Sequence, residues 1–462
     1  MVTSLESAVR GTTATHRDQA RRFHERLIRF RTVSAEPERF GDIDEAAQFI
    51  VDELTALDLF ERVEIVRGEC EGQAGRPAVI ARKDPAPGCA TVFLYAHYDV
   101  QPVGDPAAWH TEPFVPTEID GHLYGRGSSD DKAGVTVHVS ALQRLRALAP
   151  ASGLGICLLF EGEEEVGSPT IESIIQAYGE TLSADVMVIG DSGNWDPQTP
   201  SLTTSLRGLA AVTVTVRTLA RPGHSGNYGG LVPDAMMAAA RLIAGLHDDA
   251  GVVSIPGLHR GNGPAFPVTT DELVGQTGLL AGVTPIARDD MRDAWYGPAA
   301  TVIGLDAPRV QGAANILLPE VRFRLSVRVA PGQTADDAMT AIKAHLLHTA
   351  PFHAQIEFGD ESLGEPFANA ADDRFTRALE ESTSVIWGRD VARIGAGGSI
   401  PFVSVLRERF PEASIVMIGV GDATSRAHSP NENVSLELVE RATLSELHFL
   451  LSLTDPAITG TP

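Results

Sequence analysis

Short apolar runs alternate with stretches of helical periodicity in the N-terminal part of the chain. Apolar side chains recur with helical spacing at about 14–31, 44–58, 133–148 and 168–179. Runs of strand type lie at 78–81, 91–96, 154–160 and 186–189. Strands that are apolar throughout are buried on both faces, which is typical of a parallel sheet covered by helices. This part of the chain is therefore predicted to be α/β, with a central, mostly parallel sheet flanked by helices.

A different pattern begins after Arg207 and Gly208. Apolar and polar residues alternate at 211–217 and, strictly, at 321–329. Such strands expose one face to solvent, which is typical of an open antiparallel sheet. Helical spacing follows them at about 233–247 and 334–348, whereas the Gly- and Pro-rich residues 251–300 are predicted to be rich in loops. The resulting order is β-α-β-β-α-β.

The first pattern returns beyond about residue 365, with helices predicted at 373–387 and 435–452 and an apolar strand at 414–418. A chain of 462 residues is also long for a single core. We therefore predict a larger, discontinuous domain of residues 1–208 and 365–462, with a smaller α+β domain of residues 209–364 inserted into it.

Composition narrows the range of partners and compartments. The formal net charge of −24 disfavours nucleic acid and anionic membrane surfaces, because both select for basic patches. The cysteines Cys70, Cys89 and Cys157 have no C-x-x-C spacing, which favours a reducing compartment. The N-terminus has no apolar segment of signal-peptide type, and no apolar run of about 18 residues occurs. We therefore expect a cytoplasmic protein.

Five side chains of metal-ligand type lie in short motifs at strand ends or in Gly-rich turns. They are His97 in YAHYDVQP, Asp130 in GRGSSDDKAG, Glu165 in FEGEEEVGS, Asp191 in VIGDS and His428 in AHSPNE. Two histidines and three carboxylates suit a pair of Zn²⁺-type ions, because the odd carboxylate can bridge them. Within the first motif, Asp99 could accept a hydrogen bond from the second ring nitrogen of His97 and fix its tautomer.

Each motif taken alone has an ordinary alternative explanation. Adjacent acids at a helix start, such as Asp130 and Asp131, can serve as N-terminal caps. The acidic run that contains Glu165 could be a solvated loop, and His428 could be an incidental loop histidine. In a metal site, by contrast, an acid next to Glu165 could act as general base on a metal-activated water.

Together the five motifs resemble those of the M20 family of co-catalytic zinc peptidases and deacylases, most closely its dipeptidase branch, over nearly the whole chain. The resemblance implies two divalent ions, with zinc expected and manganese or cobalt as alternatives. The metal ligands that it implies are His97, Asp130, Glu165, Asp191 and His428. Asp130 would bridge the two ions and be followed by a cis peptide bond. Glu164 would be the general base, and Asp99 would position His97.

The resemblance extends to contacts with the substrate. His224, in GHSGNYGG, resembles a lid histidine that reaches into the active site of a partner subunit and stabilises the oxyanion, which implies a homodimer. Pro222 departs from the pattern, because the branch usually has Asp at that position. Arg328 matches the position that holds a substrate carboxylate. Further contacts are implied for Asn315 and for the loop residues Gly397, Gly398 and Ser399.

The expected function is di-metal-dependent hydrolysis of dipeptides or short peptides with a free C-terminal carboxylate. The larger domain would then be the catalytic di-metal domain, and the inserted one a lid and dimerisation domain. An alternative is an N-acyl amino acid deacylase, which would use the same metal centre with a different acyl pocket. A non-catalytic binding protein on the same scaffold is a further alternative. It predicts that a metal ligand or the base is missing, and none of them is missing from the sequence.

Overall fold

The computed structural model of the chain describes residues 2–286, 290–369, 373–398, 401–422 and 424–454. The α-helices are α1 (Val2–Gly11), α2 (Thr13–Arg29), α3 (Phe40–Ala56), α4 (Lys132–Leu148), α5 (Ile171–Leu182), α6 (Ser225–Tyr228), α7 (Ala235–Ala244), α8 (Thr270–Thr277), α9 (Arg292–Tyr296), α10 (Ala335–His348), α11 (Arg374–Trp387), α12 (Pro401–Arg409) and α13 (Leu436–Ser452). In the described part of the chain, none of these helices combines the length and apolar character required to span a bilayer.

The strands are numbered in chain order. They are β1 (Arg62–Cys70), β2 (Gln73–Lys83), β3 (Thr91–His97), β4 (Thr117–Ile119), β5 (His122–Tyr124), β6 (Gly155–Glu161), β7 (Val186–Ile189), β8 (Ser201–Leu206), β9 (Gly208–Arg217), β10 (Gly223–His224), β11 (Ala299–Asp306), β12 (Ile316–Leu317), β13 (Glu320–Val329), β14 (Gln355–Gly364), β15 (Phe367–Ala368), β16 (Ala392–Ala396), β17 (Ser414–Met417) and β18 (Asn433–Ser435). The strands β4, β5 and β18 form a separate three-stranded sheet with the order β18-β5-β4. Every strand and helix predicted from periodicity is present, with bounds shifted by a few residues.

The chain forms two compact units. The first comprises Met1–Thr204, Asn369–Ile394 and Val405–Pro462, and the second comprises Ser205–Ala368 and Gly395–Ser404. The segment from Gly395 to Ser404 thus groups with the second unit, whereas the predicted division placed it in the larger domain. The reason is local packing: Gly395 lies directly against Trp295, and the Ser404 hydroxyl donates to the Glu365 carbonyl oxygen at 3.5 Å.

The first unit is built on a mixed sheet with the order β1-β2-β6-β3-β7-β17-β8. The neighbours β6, β3, β7 and β17 run parallel, whereas β2 joins β6 and β8 joins β17 in antiparallel fashion. The strands β3, β6 and β7 are buried along their whole length. The prediction of a parallel sheet of buried strands is therefore confirmed for the centre, and the antiparallel margins make the sheet mixed as a whole.

The margin strand β1 was not recognised from the sequence. It pairs with β2 through a two-residue turn, in which Glu71 and Gly72 have φ of 52° and 78°. Two successive positive φ values are those of a hairpin turn whose twist matches that of the strands. Because β1 is an edge strand, charged side chains such as Arg62 and Glu64 interrupt its apolar pattern.

The helix α4 explains how the first unit covers its sheet near the site. It packs on β3 and against both α2 and α13, so nearly every residue between Lys132 and Leu145 is buried. The buried Arg144 makes two hydrogen bonds to Glu440 of α13, at 3.0 and 2.6 Å. Because α4 is enclosed by β3, α2 and α13, it provides a rigid support for the residues at its N-terminus.

The second unit contains an antiparallel sheet with the order β11-β13-β9-β14, and helices α7 and α10 pack on it. The chain order of these elements is β9-α7-β11-β13-α10-β14, which is the predicted β-α-β-β-α-β arrangement. The alternating apolar residues of β13 are all buried against the helices. Residues 251–300, predicted to be rich in loops, also contain the short helices α8 and α9.

Candidate metal centre

Three neighbouring parallel strands of the first unit deliver polar side chains to one edge of the sheet. His97 is the last residue of β3 and pairs in register with Glu161, the last residue of β6. Asp191 follows β7, whose residue Ile189 pairs with Tyr95 of β3. The carboxyl ends of parallel strands form the crevice in which open α/β sheets bind ligands. Residues that are far apart in sequence thus lie in one crevice, because all three strands end there.

The structure brings the five predicted ligands together in two overlapping groups. Within each group the ligand atoms all lie within 4.8 Å of one another, and the groups are His97, Asp130 and Asp191, and Asp130, Glu165 and His428. The Nε2 atom of His97 is 3.2 Å from Oδ1 of Asp130. The other carboxylate oxygen, Oδ2, is 2.9 Å from Nε2 of His428. One carboxylate therefore faces both groups with separate oxygen atoms, as a bridging ligand requires.

The remaining ligand distances complete the two groups. His97 Nε2 lies 3.9 Å from Oδ2 of Asp191, and His428 Nε2 lies 3.3 Å from Oε2 of Glu165. His97 is buried, whereas His428 lies on a loop and its side chain is 56% exposed. Two of the three residues of the first group, His97 and Asp191, consequently lie at strand ends, whereas the second group faces solvent at His428.

The Gly-rich turn before Asp130 brings the backbone close to neighbouring segments. At Gly127, where φ is 81°, a Cβ atom would lie 2.5 Å from Cγ1 of Val100, so only glycine fits. The peptide bond between Asp130 and Asp131 is cis, as the family resemblance implied. The Asp131 carboxylate accepts from Gly134 N at 3.1 Å as the cap of α4, and from His97 N at 3.2 Å. Asp131 thus has the capping role that the sequence left open for it.

A buried carboxylate that sequence reasoning passed over, Glu432, holds this turn in place. Its Oε1 accepts hydrogen bonds from the backbone N–H groups of Ser129 and Asp130, at 2.9 and 3.1 Å. Its Oε2 accepts from Gly127 N at 3.0 Å and from the Arg126 guanidinium at 2.6 Å. Glu432 lies in the His428 motif, but the sequence indicates no role for it, because its partners are about three hundred positions away.

The four acids of the Glu161–Glu165 run have four different environments. Glu161 accepts from the Tyr95 hydroxyl at 2.8 Å, and Glu163 accepts from the backbone N–H of Thr170 at 3.0 Å. Glu165 belongs to the second ligand group. Glu164 has no hydrogen bond to its carboxylate among the described residues, and its Oε2 lies 3.9 Å from His97 Nε2. The run is therefore not a solvated loop, and Glu164 is the acid of the run whose carboxylate has neither a hydrogen bond nor a place in a ligand group among the described residues.

Asp99 connects the histidine to the acidic run. Its two carboxylate oxygens accept from the backbone N–H groups of Glu164 and Glu165, at 3.1 and 3.0 Å. His97 Nδ1 is 3.1 Å from the carbonyl oxygen of Asp99 and 3.4 Å from its Oδ1. Both possible acceptors for this ring nitrogen belong to Asp99, so the residue can fix the tautomer in which Nε2 is free to bind a metal.

Gln101 is a second residue whose contribution the sequence did not reveal. Its amide Nε2 donates to Oε2 of Glu165 at 2.7 Å and to the Glu165 carbonyl oxygen at 3.3 Å. The side chain thereby orients a predicted metal ligand. Its place two residues after Asp99 in a motif-bearing loop was the available signal, but an amide side chain gives no indication of its partner.

The electrostatics of the crevice fit a pair of cations. Burial raises the pKa of Glu164 to about 8, although the charge of His97 opposes the shift. Burial also raises the pKa of Asp191 to about 6, with a further contribution from the charge of Asp130. Buried carboxylates so close together must either hold protons or be balanced by positive charge. Imidazole and carboxylate ligands in two groups that share one carboxylate are a donor set that zinc and related divalent ions accept.

The other predicted site residues belong to the second unit. His224 is exposed, pairs with Ile316 in the short β10-β12 ladder, and accepts from Gly226 N through Nδ1 at 3.1 Å. The exposed Asn315 offers its carbonyl oxygen to Ser225 N at 3.1 Å. Arg328 is a half-buried residue of β13. Gly397 and Gly398 form a bend after β16, and Ser399 lies outside the described residues.

Comparison with known proteins places this architecture in a family. The chain belongs to peptidase family M20/M25/M40, whose pattern matches residues 93–452. It is 32% identical over 425 residues to a cysteinylglycine-S-conjugate dipeptidase of Corynebacterium striatum, covering 90% of this chain and 91% of the relative. It is 26% identical to a Cys-Gly metallodipeptidase of Schizosaccharomyces pombe, covering 89% and 90%. The structure of human carnosine dipeptidase 1 has the same fold, with a TM-score of 0.76, 22% identity and 98% coverage of both chains.

Proposed function

We propose that this protein hydrolyses dipeptides, and other short peptides with a free C-terminal carboxylate, in a reaction that depends on two divalent metal ions. The observation that carries the proposal is the position of Asp130 in both ligand groups, together with the Glu164 carboxylate, which lies 3.9 Å from His97 Nε2 of the first group. The names of the two dipeptidase relatives, which match along nine-tenths of their length, support the class of substrate.

The residues divide into those that would hold the ions and those that would act on the substrate. One ion would be held by His97 and Asp191, the other by Glu165 and His428, and both by Asp130. Two such ions supply Lewis acidity towards a carbonyl group and lower the pKa of a coordinated water. Zinc is the ion that we propose, and manganese and cobalt suit the same ligands.

Glu164 is the proposed general base. It would accept a proton from the attacking water and transfer it to the leaving amine as the carbon–nitrogen bond breaks. Asp99 contributes indirectly, because it holds the backbone of Glu164 and Glu165 while it contacts the ring of His97. The buried carboxylate of Asp99 therefore fixes the proposed base relative to the proposed ligands His97 and Glu165.

Activity is expected to require metal and to be directed at dipeptides. A mixed pool of dipeptides and N-acyl amino acids is incubated with protein loaded with Zn²⁺ or Mn²⁺, and the products are identified by mass spectrometry against a chelated control. Metal-dependent cleavage of dipeptides alone is the expected result. Cleavage of N-acyl amino acids alone would instead support the deacylase alternative, which no comparison favours. No turnover of either pool would contradict the proposed reaction.

The second unit is proposed to act as a lid and dimerisation domain. His224 has an exposed side chain beside the exposed apolar residues Tyr228, Leu231 and Ile316. A polar group on an apolar, exposed surface is suited to work against a second molecule. We propose that the protein is a homodimer in which His224 stabilises the oxyanion in the active site of the partner subunit.

This arrangement predicts complementation between two inactive proteins. His224→Ala is expected to lower kcat by about 100- to 1,000-fold, as the loss of one oxyanion donor does elsewhere. Mixing it with Glu164→Gln under conditions of subunit exchange should restore about a quarter of wild-type activity, because half of the dimers then contain one intact site. The rate is measured before and after mixing, and size-exclusion chromatography verifies the dimer. Absence of recovery despite proven exchange would contradict action in trans.

Arg328 is proposed to bind the C-terminal carboxylate of the substrate, and Asn315, Gly397, Gly398 and Ser399 are proposed to provide further polar contacts. A guanidinium can donate two parallel, charge-assisted hydrogen bonds to a carboxylate. The neutral side-chain amide of glutamine cannot replace them. Arg328→Gln should therefore raise KM for free dipeptides by about 10- to 100-fold with kcat nearly unchanged. An unchanged KM in steady-state kinetics would contradict the role of Arg328.

A cytoplasmic location is also part of the proposal. It is supported by the strongly acidic composition and by the absence of disulfides among Cys70, Cys89 and Cys157 in the described chain.

A further inference from the structure

Besides Arg328, the second unit contains Arg207, which lies in the link between β8 and β9. Arg207 is held by contacts with backbone carbonyl groups rather than by ion pairs with acids. Its backbone N–H donates to the Ala396 carbonyl oxygen at 3.1 Å, and one terminal nitrogen of its guanidinium is 3.5 Å from the Gly297 carbonyl oxygen. Its Nε atom is buried and has no hydrogen-bond partner among the described residues. The guanidinium is therefore fixed in place with unused donor capacity.

Arg207 and Arg328 are close to each other in this unit. Arg328 on β13 pairs with Leu209 on β9, two residues beyond Arg207. Burial, together with the positive charge of Arg328, lowers the pKa of Arg207 to about 10. Two neighbouring guanidinium groups repel each other, and the arrangement costs free energy unless an anion lies between or beside them.

The same sheet contains arginines that are compensated. Arg217 forms ion pairs with Glu320 and Glu357, and Arg322 lies 3.9 Å from both Asp306 and Asp360. Within the described part of the chain, Arg207 and Arg328 form no ion pair with a carboxylate. The pair thus differs from Arg217 and Arg322 in lacking an internal carboxylate partner, and from Arg324, whose guanidinium donates to Thr213, to Ser362 and to the Asp360 carbonyl oxygen, in leaving the buried Nε of Arg207 without an acceptor. An external anion could supply that acceptor.

The glycine at position 397 brings a backbone loop against Arg207. A Cβ atom at Gly397 would lie 3.0 Å from a terminal nitrogen of Arg207, closer than side chains usually approach. The absence of a side chain leaves room for the guanidinium beside the bend formed by Gly397 and Gly398. Two neighbouring guanidinium groups, one of them beside a glycine-rich bend, are suited to a small, planar anion such as a carboxylate.

We infer that Arg207 is a second specificity-determining residue, which binds the C-terminal carboxylate of the substrate jointly with Arg328. This inference rests on the proposed function for the identity of the anion. Two arginines on one carboxylate give a stronger preference for a free chain end than one arginine does. They also limit the substrate to peptides whose chain ends at this point, because an extended C-terminal chain replaces the carboxylate by a neutral amide.

The kinetic test compares alanylglycine with alanylglycinamide in the metal-loaded enzyme. Arg207→Gln is expected to raise KM for alanylglycine by about 10- to 100-fold, leave kcat within a few-fold, and change the kinetics of the amide little. Arg207→Lys should lose part of the preference for alanylglycine, since an ammonium group keeps the positive charge but not the paired donors of the guanidinium. Arg322→Gln, on the same strand as Arg328, is the matched control and should retain the wild-type preference. If Arg207→Gln weakened the kinetics of alanylglycine and alanylglycinamide equally, the role of Arg207 would be structural and the inference would be wrong.

A binding measurement separates this inference from the proposed reaction. Calorimetric titration of the metal-loaded Glu164→Gln protein with the same two compounds should show tighter binding of alanylglycine, and adding Arg207→Gln should remove most of that preference. If alanylglycine is not hydrolysed by the wild-type protein but is still bound preferentially through Arg207, the reaction is wrong and the carboxylate site stands. If the preference for alanylglycine over the amide persists in Arg207→Gln, the inference is wrong. If Arg207→Gln does not fold, Arg207→Lys is tested instead, and an undiminished preference in that variant contradicts the inference in the same way.

Discussion

Replacing Glu164 by glutamine is expected to abolish nearly all peptide hydrolysis while both metal ions stay bound. The side chain keeps its size, but the amide cannot accept the proton of the attacking water, and loss of a general base lowers rates by about 100- to 10,000-fold. The metal groups should persist, because the grouped ligands are His97, Asp130, Asp191, Glu165 and His428. The measurements are kcat for a dipeptide and metal content by plasma mass spectrometry on the same preparation.

The matched control for this experiment is Glu172→Gln, which makes the same chemical change at an exposed position of α5. It should retain full activity and both ions. If Glu164→Gln were to lose one ion together with its activity, Glu164 would be a metal ligand rather than the base. If it kept activity within a few-fold of the wild type, the proton would be transferred by another group.

Replacing Glu432 by alanine is expected to destabilise the first unit and to weaken metal binding together. The change leaves the guanidinium of Arg126, which is 2% exposed, without its acid, and deprives the N–H groups of Ser129 and Asp130 of their acceptor. Removing one member of a buried ion pair costs about 3–5 kcal/mol elsewhere. Because the bridging candidate Asp130 sits in the turn that is released, both ligand groups should be affected.

The experiment compares urea unfolding of the metal-free proteins with calorimetric metal titration. Glu437→Ala serves as control, because it removes an acid from a solvent-accessible pair between the first turn of α13 and Arg441 one turn later, and such pairs contribute about 1 kcal/mol or less. Glu432→Gln should be milder in stability, since its amide oxygen can still accept from the turn. A Glu432→Ala protein with wild-type stability and metal affinity would show that the turn is held by other contacts.

The parts of the structure that local pattern determines could be predicted from the sequence. The strands β3, β6 and β7 were recognised because each is short, uniformly apolar and followed by polar residues, and such a strand is buried wherever it lies in the sheet. The same feature located His97 and Asp191, since residues at the ends of these strands meet at one edge. The alternation in β13 likewise survived folding, because one face packs on helices and the other does not.

The parts that depend on distant contacts could not be predicted. The edge strand β1 is stabilised by its hairpin partner rather than by an apolar pattern of its own. The bond between Glu432 and the turn at Gly127 joins segments that no local rule connects, and the bond from Gln101 to Glu165 depends on how two loops meet. The pairing of Arg207 with Arg328 is of the same kind, because it arises from the register of β9 on β13.

The distribution of the two ligand groups along the chain also bears on how the protein is made. Three residues, His97, Asp130 and Asp191, form the first group, and the second is completed only by His428. During synthesis from the N-terminus, a chain that has not reached residue 428 lacks both this histidine and the acid that secures the turn around Asp130. With the proposed ligands, the second ligand group therefore cannot be completed until almost all of the polypeptide has been translated.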